Sequence, residues 1–340
     1  MRVHGLDQEQ LVWRRWCIAN NCNGDVQRFQ QEYPLTPEEA FITSGACWFD
    51  TKVLFARLRE LEENKKDVAH DVRRYGNENP DVAHDVRRNR RGRFVYEKIW
   101  DQSLQRVTLS EIRFEEQEDG PVTIWRQPAE RTPYVMGGDT AGEGSDWFSA
   151  YVIDNTDASM CARIWMQNDE AEYTAQFWCL GRYFNFALAT PEVNFSTYPI
   201  RTLQEWGYPR LYVRQAEDDY THKPRSAFGW RTDRLTRPAM LTELKEFTEA
   251  HPEAIVDEEL LREMLVFCKN RDGRPEALTG EHDDLVMGYG ITLRIRDQQS
   301  AAKEPEPGKA GRYTEDMLED WRAASPEQRA YLERIWGRPF

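Results

Sequence analysis

Three short apolar segments follow one another between Tyr134 and Gln167, and they restrict the possible fold more than any other feature. They are YVMGGD (134–139), WFSAYVID (147–154) and ARIWMQ (162–167). Each is too short for a packed helix, is rich in aromatic and β-branched residues, and is bounded by turn-forming residues, so each predicts a strand. The first two form a hairpin by this reading. An aromatic-rich amphipathic helix is expected over 170–184, strand character over 186–192 and 211–214, and helices over 200–206, 238–249 and 257–267. A last helix is expected from about His282 to about Arg296. Strands first, then alternating helices and strands, predict an α/β class with a mixed sheet flanked by helices.

Upstream, residues 1–66 read as mostly helical. Leu11, Val12, Trp13 and Trp16 supply an apolar face, Thr36 with Pro37 and Glu39 has the pattern of a helix start, and a second helix is expected over 52–66. The octapeptide DVAHDVRR occurs at 67–74 and again at 81–88, and the second copy leads into Arg90, Arg91 and Arg93. Two copies are too few for a solenoid. The repeat reads either as a duplication in a tolerant surface segment or as a DNA-contacting arm. Short strands and turns are expected over 94–125. Residues 298–313 have linker composition, and 314–335 read as a terminal helix. The chain thus divides into a helical lead-in (1–66), a polar segment with short strands (67–130), a core domain (131–297), and a linker with a C-terminal helix (298–340).

Composition excludes some classes. Charged residues are 31% and the net charge is -14, which argues against a broad basic face but allows local basic patches. No segment has the length and apolarity of a membrane span, and the first twenty residues do not read as a signal peptide. The six cysteines are scattered, and Cys17/Cys22 has no second pair at zinc-ribbon spacing, so idle thiols in a reducing compartment are expected.

The chemistry-bearing residues are carboxylates at the ends of regular elements. Asp139 closes an apolar strand after Gly137 and Gly138 and precedes the turn TAGEGSD, which contains Asp146. Glu192 closes FALATPE and is followed by Asn194. In GEHDDLVMGYGI, His282, Asp283 and Asp284 stand at an expected helix start, where anions are favoured. Asp283 and Asp284 point about 100° apart on a helix, so one of them is the ligand. Asp284 is preferred because Asp283 is better placed to cap. His282 either orients a water or phosphate or is a surface residue. Gly288, one turn after Asp284, and Gly290 would let this helix approach a sheet closely. Carboxylates converging from strand ends and a helix start can hold divalent cations about 3.5–4 Å apart, an arrangement that hydrolyses phosphodiesters. Neither GxGxxG nor GxxxxGK[ST] occurs, and the only Gly-Lys pair is Gly308–Lys309 in the linker.

Five strings in order, FQQEYPLTPEEAFITSGACWFD, GGDTAGEGSDW, PEVN, AFGWRTDRLTRPAML and GEHDDLVMGYGI, resemble the large subunit of tailed-phage DNA-packaging terminases. The similarity covers the nuclease part of that family and its lead-in, roughly 25–296. It implies an RNase H-like (resolvase/integrase type) fold and a metal-dependent endonuclease that cuts concatemeric double-stranded viral DNA. Two Mg2+ or Mn2+ ions are implied. By the resemblance Asp139, Glu192 and Asp284 (or Asp283) are the catalytic metal ligands, with His282, Asp146 and Asn194 accessory. The glycine usual after the E-x-N string is missing here, and Glu217, Asp218 and Asp219 form a second-ranked acidic cluster. Lys223, Arg225, Arg231, Arg234 and Arg237 are the expected DNA contacts. The implied partners are double-stranded DNA, a portal protein, a small terminase subunit and a separately encoded ATPase part. The implied place is the host cytoplasm, without secretion, and no ATP hydrolysis is expected. A four-way-junction resolvase and a non-catalytic DNA- or portal-binding packaging component are the alternatives.

Overall fold

The computed structural model describes residues 7–33, 47–75, 89–102, 105–140, 147–167, 169–217, 224–299 and parts of 321–332. The chain forms two compact units. One comprises 1–86 and 245–286, the other 87–244 and 287–340. Both are discontinuous in sequence.

The larger unit is built on a seven-stranded sheet. Its strands are β1 (Arg90–Asp101), β2 (Arg106–Glu116), β3 (Val122–Ile124), β4 (Tyr134–Asp139), β5 (Phe148–Asp154), β6 (Met160–Met166) and β7 (Leu188–Pro191). Their spatial order is β2-β1-β3-β6-β5-β4-β7. All neighbours are antiparallel except β4 and β7. The block β6-β5-β4-β7 is a three-strand meander with a parallel strand added next to its first member, as in the RNase H-like mixed sheet expected above. β7 can lie parallel to β4 because a helix, α4 (Glu170–Tyr183), makes the crossover. Asp169 caps that helix by accepting from the Glu172 N–H, at 2.9 Å.

The two faces of β4 carry different loads because successive residues point to opposite sides. A Cβ on Gly138 would meet the Tyr173 hydroxyl of α4 at 2.2 Å. A Cβ on Gly137 would meet the Thr292 backbone nitrogen of α8 (Asp284–Arg294) at 2.5 Å. Helices therefore cover both sides of this strand. The main core lies on the α4 side, where Met136, Ala150, Val152 and Ile164 pack with Phe177, Trp178 and Leu180. Helix α5 (Tyr198–Glu205) adds Leu203 to it.

The expected short strands over 94–125 are instead a long hairpin, with β1 and β2 of 12 and 11 residues. Alternation is weak there because both strands are largely solvent-facing, so the period-two signal was diluted. The arginine run enters this hairpin. Arg90 pairs with Glu116 at 2.7 Å, Arg93 with Glu172 at 2.5 Å, and Arg91 donates to the Gly120 carbonyl at 2.8 Å. These three cations serve the sheet. Arg87, Arg88 and the second repeat copy lie outside the described residues.

The other unit contains α1 (Gln8–Asn20), α2 (Val26–Glu32), α3 (Thr51–Tyr75) and α7 (Glu258–Val266), with the hairpin β10 (Phe267–Lys269) and β11 (Pro275–Ala277). The helix expected over 52–66 continues to Tyr75, so the first repeat copy is helical. Arg57 is buried and donates to the carbonyls of Ile255 at 2.8 Å and Glu253 at 3.0 Å. Cys17, Cys22 and Phe29 form a small core for α1 and α2. Trp13 and Trp16, expected on the apolar face, are exposed. The six cysteines are free. The Thr36 helix start and most of the 298–313 linker lie outside the described residues. Among the described residues no helix is long and apolar enough to cross a membrane.

Candidate metal centre

Asp139 and Glu192 are brought side by side at the carboxyl ends of two parallel strands. The β4–β7 register runs from Val135 opposite Leu188 to Gly138 opposite Pro191. One step further the same register sets Asp139 against Glu192, about 4.8 Å apart at Cα by ordinary strand spacing. The Glu192 N–H donates to the Gly138 carbonyl at 2.8 Å, which fixes that step. Glu192 is 3% exposed. In open α/β sheets the carboxyl end beside a parallel pair is where ligands bind, because loops diverge there and leave a crevice.

Small residues make this end compact. A Cβ on Gly288 of α8 would meet the Ser149 Oγ at 2.2 Å and the Asp139 nitrogen at 3.6 Å. Ser149 is the β5 partner of Asp139. The closeness to the sheet expected from Gly288 is therefore real, whereas Gly290 lies against the Met240 side chain of a helix. On the opposite side Tyr173 donates to the Ser149 carbonyl at 3.0 Å. Burial first, and then the charges of Asp139 and Glu192, push the Tyr173 phenol well above its usual range. Its hydroxyl therefore stays protonated as a fixed support for the strand ends.

Beyond β7 the sheet edge is continued by the chain near Leu211 and Trp230, each in a parallel bridge, to Ala189 and Glu192 respectively. The Val193 N–H donates to the Trp230 carbonyl at 2.8 Å. Asn194 clasps the next turn: its Nδ2 donates to the Thr232 carbonyl at 2.5 Å, and its Oδ1 accepts from the Thr232 N–H at 2.9 Å. This gives Asn194 a structural role. The clasp ties the segment carrying Arg231 and Arg234, both exposed, to the strand end that carries Glu192. Arg237 is half-buried in α6 (Thr236–Ala250). Arg225 belongs to β9 (Pro224–Phe228), which pairs with β8 (Val213–Glu217), so the basic stretch is part hairpin rather than all loop. Asp146, Lys223, Asp218 and Asp219 lie outside the described residues, and Glu217 ends β8.

Asp283 and Asp284 belong to the other unit, at the start of α8. His282 Nδ1 lies 3.5 Å from the Asp284 carboxylate. The N–H groups of Leu285 and Val286, which a capping Asp283 would be expected to take, reach Glu263 Oε2 at 2.9 and 3.2 Å. Sequence reasoning missed Glu263. Its only signal was position: in EELLREMLV it flanks the apolar stripe of Leu260, Leu261, Met264 and Leu265.

The donor chemistry at Asp139 and Glu192 fits a hard divalent cation. Magnesium-type ions are held by one or two carboxylates together with water and substrate phosphate. Among the described residues no group of three or more His, Cys, Asp or Glu side chains is gathered closely enough to hold a metal ion.

No protein-family model and no curated protein matches the sequence. Solved structures do match. The chain is similar to large-terminase nucleases of phages. The large terminase nuclease of thermophilic phage G20c aligns over 52% of this chain and 90% of its own, at 14% identity and TM-score 0.40. Its magnesium-bound form aligns over 54% and 89%, at 14% identity and TM-score 0.42. The large terminase nuclease domain of Thermus phage P74-26 aligns over 55% and 92%, at 13% identity and TM-score 0.41.

Proposed function

We propose that the chain is a divalent-metal-dependent endodeoxyribonuclease that cuts double-stranded viral DNA during genome packaging. The observation that carries this reading is the Asp139–Glu192 pair, two carboxylates in register at neighbouring parallel strand ends, one of them buried. Holding two like charges together in a poorly hydrated place is unfavourable unless a cation offsets them. The resemblance to terminase nucleases adds Asp284 as a third ligand in this proposal.

Asp139 and Glu192 would hold Mg2+ or Mn2+, two ions in the full centre. Such ions activate a water and stabilise the crowded phosphate anion. The chain's own part is to fix the donors. The Glu192 N–H bond to Gly138 locks the strand ends, Tyr173 supports them from behind, and Gly288 admits a helix where a side chain would keep it away. Arg231 and Arg234, tethered through Asn194, would hold the phosphate backbone, with Lys223, Arg225 and Arg237 as further contacts. Nothing among these groups reads bases, so sequence preference would come from partners, in the proposal a portal protein, a small terminase subunit and a separate ATPase part.

The test is linearisation of supercoiled plasmid with Mg2+ or Mn2+, with EDTA and Asp139→Asn as controls. Cutting that persists in EDTA or in the variant would refute the reading. Stronger cutting of four-way junctions than of duplex would move the assignment to a resolvase.

A further inference from the structure

We propose that Glu263 is a positioning residue for Asp284: its carboxyl oxygen fastens the first turn of α8 and so fixes the direction in which Asp284 is presented. This rests on the nuclease reading above.

Helices begin with N–H groups that have no partner within the helix. In α8 the groups on Leu285 and Val286 are deeply buried, since both residues are 0% exposed. Leaving such a donor without an acceptor is costly. A nearby side chain just before the helix commonly serves. Here the acceptor comes from a different helix, with one oxygen, Glu263 Oε2, accepting from both groups. Glu263 sits on α7, which is anchored by the buried Leu260, Leu261, Met264 and Leu265. The first turn of α8 is thus tied to a packed helix as well as to the TGEHD loop that precedes it.

The consequence falls on Asp284, which begins that turn. A carboxylate on a frayed first turn samples several directions, and a metal ligand must hold one. Glu263 removes the fraying without occupying the ligand position. His282 lies on the Asp284 carboxylate itself, so the two act on different parts of the same residue: Glu263 on its backbone turn, His282 on its side chain.

The test compares wild type with Glu263→Gln, Glu263→Ala and Glu263→Asp in the full chain. Glutamine keeps an acceptor oxygen at the same reach, alanine removes it, and aspartate withdraws it by one methylene. Three readouts apply: plasmid cleavage, Mn2+ affinity without DNA, and hydrogen exchange at the Leu285 and Val286 amides. Glu263→Gln is expected within about 3-fold of wild type in all three. Glu263→Ala is expected to lose about 10–100-fold in kcat and in Mn2+ affinity. Its KM for DNA should be unchanged and both amides should lose protection. If Glu263→Ala does not fold, Glu263→Asp carries the test, with the same direction of change. Wild-type kcat and Mn2+ affinity in a folded Glu263→Ala or Glu263→Asp overturns the proposal. So does a Glu263→Gln as defective as alanine, because an acceptor oxygen at the same reach would then not be what Asp284 depends on. If wild type neither cuts DNA nor binds Mn2+, the nuclease reading fails, and amide exchange still reports separately whether Glu263 fastens the turn.

Discussion

The backbone of Glu192 is bonded to that of Gly138 at 2.8 Å, and this single ladder bond sets the Glu192 carboxylate beside Asp139. Neither carboxylate depends on a flexible loop for its position, because both stand where a strand ends. The consequences can be measured.

Neutralising either acid should remove activity and leave the fold. Asp139→Asn keeps the oxygen that accepts from the Thr140 N–H at 3.1 Å. Asp139→Asn and Glu192→Gln are each expected to lower metal-dependent cleavage by more than about 100-fold, the upper end for groups that only support a ligand. Without metal, the thermal midpoint should stay level or rise, since a like-charge contact is relieved. Plasmid cleavage and thermal melts in EDTA check both parts.

Three glycines should rank in a fixed order when changed to alanine. In a helix the change gains about 1 kcal/mol of propensity. At Gly290 the new methyl meets only Met240 side-chain atoms at 3.2–3.4 Å, which can yield, so Gly290→Ala should be near neutral. At Gly288 it meets the buried Ser149 hydroxyl at 2.2 Å, and overpacking of about 1–3 kcal/mol outweighs the gain. At Gly137, in a strand, it meets Thr292 backbone atoms at 2.5 and 2.7 Å, which cannot move alone. Urea denaturation should therefore give Gly137→Ala as least stable, then Gly288→Ala, then Gly290→Ala.

Glu263 should make stability fall with pH. Burial, with the charges of Asp284 and Asp283 adding to it against the two N–H bonds, raises its carboxyl from near 4.5 to about 9. The folded state then binds a proton that the unfolded chain releases. The contribution is complete below about pH 4.5 and is lost as pH rises towards 9. Wild type should lose stability relative to Glu263→Gln across that window. Urea midpoints in EDTA at pH 5, 7 and 9 decide it, and a constant difference refutes the effect.

Arg231→Ala with Arg234→Ala should weaken DNA binding without touching metal affinity. If each arginine neutralises one phosphate, the slope of log K against log salt should fall by about 0.9 per residue. Asn194→Ala, which releases Thr232, should raise KM for DNA more than it lowers kcat. Titration of duplex DNA at several salt concentrations, with steady-state cleavage, checks both.

Much of this was legible in the sequence. Short apolar runs marked β4, β5 and β6 because a strand needs few residues and shows its period locally. Asp139 stood out for the same reason, as an acid closing such a run after two glycines. The β1–β2 hairpin was underestimated, because strands facing solvent carry no strong apolar alternation. Glu263 was invisible as a capping group, since its partners are 22 and 23 residues away.

The sequence by itself determined the order of elements, the α/β class and the acids standing at element ends, all of which follow from local periodicity and turn chemistry. Tertiary structure decided which ends meet. Strand register is a long-range choice, made when the α4 crossover carries β7 back to lie parallel to β4. Only that choice turns Asp139 and Glu192, 53 residues apart, into neighbours. The same holds for Gly288 against Ser149, where the absence of a side chain becomes meaningful only once a helix and a strand are pressed together.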